Sequence, residues 1–305
     1  MNWSCSGNAE TASATNVKLC RFDRDRLGIV QGAEVLDVTR ALEAIPEQRW
    51  PIAQGDPLIL NFRRVLAAAK KLAPRAKKKP LAKVKLLSPV ANPGKIIAAP
   101  INYNDHIAES IKDPGIAHGR TNIQKGIGEW GLFLKANSSL IGFGEEIRLR
   151  WPERRNDHEV ELALVIGKRG NKIPKEKALE HVCAYSIGLD MTVRGPELQC
   201  FRKSIDTYSV LGPWLVTADE IADPNSLDLS IAVNGEMRQN SNTRYLVYNV
   251  QRLIEFGSSM YTLHPGDVIM TGTPAGVAPV RPGDTLHAYV QGVGEADIHV
   301  ARDYA

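Results

Sequence analysis

The stretch that decides the fold is Asn156-Asp-His-Glu-Val-Glu-Leu-Ala-Leu-Val-Ile-Gly167. Successive side chains of a β-strand point to opposite faces, so Glu159 and Glu161 share one face with the small apolar residues that follow at every second position. The other face of the segment is apolar throughout. The segment therefore predicts a strand that enters the protein interior and carries two carboxylates at its start.

Carboxylates at the entrance of a buried strand need a positively charged partner, because isolated charge in the interior is unfavourable. A second strand-like run, Tyr185-Ser-Ile-Gly-Leu-Asp-Met-Thr192, adds Asp190 from an apolar context. Two unit charges about 4 Å apart repel by roughly 4 kcal/mol at an effective dielectric constant of about 20. Converging carboxylates would therefore take up protons or bind a divalent metal, and oxygen ligands favour Mg²⁺, with Mn²⁺ or Ca²⁺ as alternatives. A Glu-x-Glu pattern alone is also typical of a solvated surface pair.

The composition is that of a folded globular protein. The chain has 305 residues, of which 43% are hydrophobic and 24% charged, with a formal net charge of +4. This mild charge does not indicate a nucleic-acid partner. The four cysteines show neither zinc-type spacing nor the density of a disulfide framework, and no apolar run approaches the length of a membrane span. We expect reduced thiols, no membrane partner and a cytoplasmic location.

Strand and turn signals dominate the chain, which predicts an α+β fold that is mainly β. We expect a flexible N-terminus over residues 1–16 and a small β-containing N-terminal domain with a basic linker over residues 17–90. A catalytic domain is expected over residues 91–305. The basic stretch at residues 70–85 holds eight Lys or Arg and no aromatic residue, so we interpret it as a solvated linker rather than a nucleic-acid or membrane patch.

Three helices are predicted from local signals. Asn61 can cap a helix over residues 62–72, which Pro74 would end. Pro174 in a first turn predicts a helix over residues 174–181, and apolar residues at helical spacing predict another over residues 244–260.

Several familiar catalytic motifs are absent from the sequence, namely a GxSxG elbow, a GxxxxGK[ST] phosphate loop and an HExxH helix. Residues 126–131 (GIGEWG) satisfy GxGxxG, but they follow a polar stretch and show no opening helix pattern. A dinucleotide site requires that context. We interpret the segment as glycine-rich and mobile.

Seven segments resemble, in family order, motifs of the fumarylacetoacetate hydrolase family. They are residues 102–109 (NYNDHIAE), 133–142 (FLKANSSLIG), 158–162 (HEVEL), 188–192 (GLDMT), 203–207 (KSIDT), 211–214 (LGPW) and 265–274 (PGDVIMTGTP). The resemblance covers roughly two thirds of the chain, from residue 96 to the C-terminus. It implies a β-roll catalytic domain, bound Mg²⁺ or Mn²⁺, frequent homodimers, and action on 2-oxo or 2-hydroxydienoic acids.

The resemblance also implies the metal ligands and the base. Glu159, Glu161 and Asp190 would hold the metal and leave positions for water and a chelating 2-oxo acid substrate. His106 and Glu109 would lie one helical turn apart and form a dyad that activates water.

Other positions of the motifs imply contacts with substrate. Lys203 would face the developing enolate, and Thr273 would hydrogen-bond a substrate carboxylate. Lys135 either reaches the site or flanks it. The family's glutamine after an Arg-Asp pair has two candidates here, Glu197 and Gln199, because the segment departs from the pattern.

These roles favour a hydrolase that cleaves a carbon–carbon bond in an acylpyruvate, such as fumarylpyruvate or another intermediate of aromatic catabolism, to pyruvate and a carboxylic acid. The alternatives are an oxo-diacid decarboxylase or a 2-hydroxyhepta-2,4-diene-1,7-dioate isomerase, and, from another class, a catalytically silent metal-binding protein. The long segment at residues 110–132, with His118, Arg120, Lys125 and Glu129, is a lid over the substrate, a dimer-contact loop or a disordered loop.

Overall fold

The structure is a computed structural model that describes residues 17–117 and 126–303. Across these residues the protein is mainly β with fewer helices, as the sequence predicts. In the described ranges no helix combines the length and the apolar character needed to cross a membrane. The expected flexible N-terminus at residues 1–16 lies outside the described residues.

The α-helices and β-strands are numbered in chain order. The α-helices are α1 (Pro57–Leu60), α2 (Phe62–Leu72), α3 (Asn104–Lys112), α4 (Pro114–Ala117), α5 (Gly126–Trp130), α6 (Gln199–Arg202) and α7 (Val250–Met260). The strands are β1 (Lys18–Phe22), β2 (Arg26–Gln31), β3 (Glu34–Asp37), β4 (Lys77–Pro80), β5 (Leu86–Leu87), β6 (Ile96–Ala98), β7 (Phe133–Lys135), β8 (Leu140–Ile141), β9 (Glu146–Leu149), β10 (Asn156–His158), β11 (Val160–Ile166), β12 (Val182–Asp190), β13 (Thr192–Val193), β14 (Ser209–Thr217), β15 (Asp228–Val233), β16 (Glu236–Asn242), β17 (Val268–Met270), β18 (Ala278–Pro279), β19 (Thr285–Val290) and β20 (Gly294–Arg302).

One large sheet organises the described part of the chain. Its strand order is β4-β3-β2-β1-β14-β12-β11-β17-β6-β7, with β5 added beside β1 and β8 beside β14. Two smaller sheets have the orders β13-β10-β18 and β16-β15-β19-β20-β9. Strand β1 pairs with β14 through Lys18 and Val216, so the N-terminal strands continue the ladder of the central strands. The division into domains at residues 90 and 91 stays a prediction.

Strand β11 lies at the centre of this sheet, between β12 and β17. Leu162 and Leu164 pack into a core that includes Ile231 of β15. Ala163 on the opposite face packs into a second core, which includes Val65 of α2. The predicted alternation of this strand is therefore confirmed, and both faces of the sheet are covered, as a continuous apolar run requires.

Part of the basic stretch is a strand rather than a linker. Strand β4 (Lys77–Pro80) pairs antiparallel with β3 and forms an edge of the large sheet. Its side chains remain solvated, but two of them have partners: Lys78 Nζ lies 2.7 Å from Glu34 and Lys79 Nζ lies 2.8 Å from Asp23. The linker interpretation failed for this strand because charged residues can form an edge strand, where one face and one side contact water.

Of the three predicted helices, one is confirmed, one is a 3₁₀ helix and one begins later than predicted. The helix over residues 62–72 is confirmed as α2, although the Asn61 side chain donates to the carbonyl of Pro57 instead of capping it. The helix predicted over residues 174–181 is a 3₁₀ helix, Lys175–His181. The helix predicted over residues 244–260 begins only at Val250, because Asn249 caps α7 by accepting a hydrogen bond from the Arg252 N–H.

The expectation that no helix opens at residues 126–131 is wrong. These residues form the short helix α5, Gly126–Trp130. Ile127 in this helix is buried against Ala99 and Leu253. A single buried apolar contact of this kind stabilises a turn of helix that the local sequence does not favour.

Asp56 links α1 to residues 91 and 92, which precede β6. Its side chain is buried and accepts hydrogen bonds from the N–H groups of Leu58 and Ile59 at the start of α1. The other carboxylate oxygen accepts from the N–H groups of Ala91 and Asn92. One side chain therefore satisfies four main-chain donors.

Replacing Asp56 should destabilise the fold. We expect Asp56→Ala to lower the free energy of unfolding by about 2–4 kcal/mol, because buried N–H groups lose their acceptors. The control Glu43→Ala removes an exposed carboxylate that pairs with the exposed Arg40 and should cost less than about 1 kcal/mol. Urea denaturation of both variants measures the difference, and equal effects would contradict the anchoring role of Asp56.

Candidate active site

Three carboxylates meet where β11 begins and its antiparallel neighbour β12 ends. Glu159 precedes β11, Glu161 lies within it, and Asp190 ends β12. The Asp190 N–H donates to the Glu159 carbonyl at 2.9 Å, which fixes the register of the two segments. All three side chains are buried, and one oxygen from each lies within 4.8 Å of the others. The structure therefore brings together the three acids that the sequence singles out.

Buried cations surround these acids. Lys203, which follows α6, places Nζ 2.6 Å from Glu159 Oε2 and 2.8 Å from Asp190 Oδ2. Arg194 Nη2 donates to Glu159 Oε1 at 3.0 Å. Lys135 at the end of β7 contacts Asp190 Oδ1 and donates to the Tyr208 carbonyl at 2.8 Å. Lys135 thus reaches the acid cluster, where it contacts protein groups.

The surrounding charges and burial shift the pKa values of Glu159 and Glu161 in opposite directions. Burial disfavours the ionised form of Glu159, but Lys203 and Arg194 outweigh it and hold the pKa of that carboxyl below its usual range. Burial, together with the neighbouring Asp190 and Glu159, raises the pKa of Glu161 well above its usual value. Glu161 is thus the carboxyl with the least compensation by the protein's own cations.

The acid cluster fits a hard divalent cation. In the described part of the chain, the one hydrogen bond that the Glu161 carboxylate accepts comes from the Gly272 N–H, at 2.6 Å. A buried carboxyl with a single donor and two carboxylate neighbours is stabilised as an anion by a cation bound between them. The oxygen-only donor set matches the preferences of Mg²⁺ and Mn²⁺.

Helix α3 supplies the His–Glu pair that the resemblance implies. His106 Nδ1 lies 2.8 Å from Glu109 Oε2, one turn further along the helix. The other oxygen of Glu109 accepts from the Gly276 N–H at 2.9 Å, so the carboxylate is held from two sides. Nδ1 is therefore the ring nitrogen that carries a proton, and Nε2 is the basic one.

A pocket opens beside these groups, with an empty volume of about 570 Å³ that includes solvent at its mouth. Its lining residues are Ala99, Pro100, Ile101, His106, Ser110, Ile116, Trp130, Phe133, Glu159, Arg194, Gln199, Arg202, Lys203 and Thr273. Gln199 lines the pocket, whereas Glu197 forms a two-bond pair with Arg154 at 2.9 Å for each contact. The structure thus separates the two candidates that the sequence left open.

Thr273 is held by a residue from a different sheet. Its hydroxyl donates to the Val160 carbonyl at 2.9 Å and accepts from Gln239 Nε2 at 2.8 Å. The amide of Gln239, on β16, also donates to the Pro274 carbonyl and accepts from the Val160 N–H. The single proton of the Thr273 hydroxyl is therefore already used within the protein.

Comparison with known proteins gives the family. The model of the fumarylacetoacetate hydrolase C-terminal domain matches residues 95–301, which is more than half of the chain. The protein belongs to the fumarylacetoacetate hydrolase family. The predicted fold class is thereby confirmed, with the sheet-rich catalytic domain of the family and an N-terminal part that contains β-strands.

Named relatives of this family member include hydrolases and a tautomerase. The chain is 55% identical over 284 residues to the maleylpyruvate hydrolase of Aquipseudomonas alcaligenes, covering 93% of this chain and 99% of that one. It is similar to the crystal structure of maleylpyruvate hydrolase from Sphingobium sp. SYK-6 in complex with manganese(II) ion and pyruvate, with a TM-score of 0.78, 39% identity, and coverage of 94% and 100%. The mitochondrial oxaloacetate tautomerase of Xenopus laevis is 32% identical, covering 90% of this chain and 85% of that protein.

Four residues at the site were not identified from the sequence. They are Ser110, Arg194, Arg202 and Gln239. Arg194 had a usable signal, since it directly follows an apolar strand, where a charge needs a partner. Gln239 had none, because β16 is polar along most of its length and its burial is visible only in the folded chain.

The segment at residues 110–132 contributes to the pocket from its described parts. Ser110, Ile116 and Trp130 are among the lining residues. His118, Arg120 and Lys125, which the sequence analysis placed in this segment, lie outside the described residues. A lid over the substrate stays a prediction.

Removing the Gln239 amide should disturb the Thr273 loop. We expect Gln239→Leu to lower kcat/KM at least about 10-fold, because the loop loses the two hydrogen bonds that it accepts from Gln239 on β16. The control Gln251→Leu, on the far helix α7, should leave kcat/KM unchanged. Steady-state kinetics below the melting temperature of each variant measure this effect. Full activity in Gln239→Leu would show that Thr273 is held by other contacts.

Proposed function

We propose that this protein is a divalent-metal-dependent hydrolase that cleaves a carbon–carbon bond of an acylpyruvate to give pyruvate and a carboxylic acid. The observation that carries the proposal is a His–Glu pair and a buried three-carboxylate cluster facing one pocket. The similarity to maleylpyruvate hydrolases supports it, and makes maleylpyruvate or a related intermediate of aromatic catabolism the first substrate to test.

Glu159, Glu161 and Asp190 would hold Mg²⁺ or Mn²⁺. When bound, the ion polarises the 2-oxo group of the substrate and stabilises negative charge on its oxygen. The buried ammonium of Lys203, 2.6 Å from Glu159, adds a fixed positive charge where an enolate develops. These acids are therefore the proposed ligands, and Lys203 is the proposed enolate partner.

His106 would act as the general base. Its Nε2 accepts a proton from water, and the hydroxide attacks the carbonyl at C4 of the acylpyruvate. The C3–C4 bond then breaks, its electron pair passes to the pyruvate fragment as an enolate, and the His106 imidazolium would return its proton to C3 to give pyruvate. The Glu109 carboxylate, 2.8 Å from Nδ1, stabilises the imidazolium that forms.

Other side chains would position the substrate. Because the Thr273 hydroxyl donates to Val160, we assign the contact with the substrate carboxylate to the Thr273 main-chain N–H, which donates to no acceptor among the described residues. Gln199 lines the pocket and is the proposed substrate-binding amide. Lys135 contacts Asp190 and would hold that carboxylate in place.

The dyad favours hydrolysis over decarboxylation and over a silent metal-binding role, because a decarboxylase has no water to activate and a silent protein has no need of a base. An isomerase or tautomerase can use the same base for proton transfer, and the similarity to maleylpyruvate hydrolases favours hydrolysis over those reactions. A homodimer and a cytoplasmic location remain predictions from the sequence.

Metal removal and product analysis test the reaction. With Mg²⁺ or Mn²⁺, we expect acetylpyruvate, fumarylpyruvate or maleylpyruvate to yield pyruvate and an equimolar carboxylic acid, and we expect EDTA to abolish turnover. Pyruvate and the acid are quantified by chromatography, with CO₂ followed from oxaloacetate in parallel. Release of CO₂ from oxaloacetate without cleavage of any acylpyruvate would replace the hydrolase with a decarboxylase.

The base can be tested separately from the metal. We expect His106→Ala to lower kcat by about 10²- to 10⁴-fold, the usual contribution of a general base, with Mn²⁺ affinity retained. His299→Ala, which removes an exposed histidine of β20, serves as the control. Normal turnover in His106→Ala would reject the dyad.

The ligand set can be tested without turnover. We expect Asp190→Asn to weaken Mn²⁺ binding at least about 10-fold, because an amide oxygen lacks the charge of a carboxylate. Calorimetric titration of the folded variant measures this affinity, with the exposed Asp25→Asn as the control. Unchanged affinity would remove Asp190 from the ligand set.

A further inference from the structure

Ser110 is a buried polar residue in the pocket to which the proposed reaction assigns no role. It is 1% exposed and lines the pocket, yet its hydroxyl has no hydrogen-bond partner in the described part of the protein. A buried hydroxyl without a partner is unfavourable, so its position is explained by a ligand that supplies one.

The position of Ser110 on α3 indicates which part of the substrate it meets. It lies four residues after His106, hence on the same face of the helix and one turn further along. His106 acts at C4, and the pyruvate end is bound by the groups around Lys203 and Thr273. Ser110 therefore lies beside the acyl group, beyond the bond that breaks.

Arg202 adds positive charge to the same pocket. Its guanidinium is 2% exposed, and it donates to the carbonyls of Glu197 and Val193 at 2.9 and 3.2 Å. Arg194 and Lys203 lie on the acid cluster and satisfy its carboxylates. The pocket lining thus contains three cationic side chains and one carboxylate, Glu159.

We propose that Ser110 donates a hydrogen bond to a terminal carboxylate on the acyl group of the substrate, in a pocket whose lining includes Arg194, Arg202 and Lys203. The enzyme would thereby select acylpyruvates whose acyl group is itself an acid over those with a plain alkyl acyl group. This inference rests on the proposed hydrolase function and names the substrate class of the same pocket.

The decisive variant is Ser110→Ala, assayed on maleylpyruvate and on acetylpyruvate. We expect kcat/KM for maleylpyruvate to fall about 10- to 100-fold, mainly through KM, the usual loss of a hydrogen bond to a charged group. For acetylpyruvate we expect a change of less than about twofold, because that substrate lacks the second carboxylate. Ser110→Thr, which keeps the hydroxyl, should restore much of the lost activity.

Stability separates a binding role from a structural one. Because the hydroxyl has no partner within the described chain, we expect Ser110→Ala to melt at the same temperature as the parent protein or higher. The control Ser259→Ala removes an exposed hydroxyl of α7 that donates to the Phe256 carbonyl, and should leave both substrates unaffected. Equal losses on both substrates, or no loss on either, would overturn the proposal.

Binding of the product maleate distinguishes failure of this inference from failure of the proposed function. We expect Ser110→Ala to weaken maleate binding by about the same factor as it raises KM, with pyruvate binding unchanged, as measured by calorimetry on the metal-loaded protein. If the parent protein cleaves no acylpyruvate but loses maleate affinity in the variant, the hydrolase is wrong and the carboxylate site stands. If the parent protein cleaves both substrates and maleate affinity is unchanged, the carboxylate site is wrong.

Discussion

The structure depends on how the mutual repulsion of three buried carboxylates at the centre of its largest sheet is compensated. Glu159, Glu161 and Asp190 would not remain ionised together in an apolar interior without opposite charge nearby. The protein supplies part of that charge from three separate segments. The cations are Lys135 at the end of β7, Arg194 after β13 and Lys203 after α6. The unequal compensation leaves Glu161 as the acid most in need of a cation, and this inequality makes the cluster suitable for a metal.

The large sheet holds these acids in a fixed arrangement beside the pocket. Strands β11 and β12 pair in register, so the acids are held on a rigid frame rather than on loops. The neighbouring helix α3 places the His106–Glu109 pair at the pocket, and the loop after β17 donates main-chain N–H groups to Glu161 and Glu109. The proposed base and the proposed metal ligands therefore come from different elements and are linked by the loop after β17.

Features that depend on local spacing could be predicted from the sequence. The alternation around Glu161 and the interval between His106 and Glu109 depend on the geometry of a strand and of a helical turn, and both have the expected form. The late start of α7 and the helix at Gly126 depend on capping and on one buried contact. Gln239 belongs to a strand of another sheet, and its role arises only when the two sheets pack together.

The lysine-rich strand β4 has a consequence for solubility. A sheet of this size exposes unpaired N–H and C=O groups at its outer strand, where a second chain could add and begin aggregation. In this protein that position is occupied by Lys77, Lys78, Lys79 and Pro80, which combine like charge with a residue that has no N–H to donate. The stretch that the sequence suggests is a linker is thus an edge strand whose charges and proline disfavour pairing with a strand of another molecule.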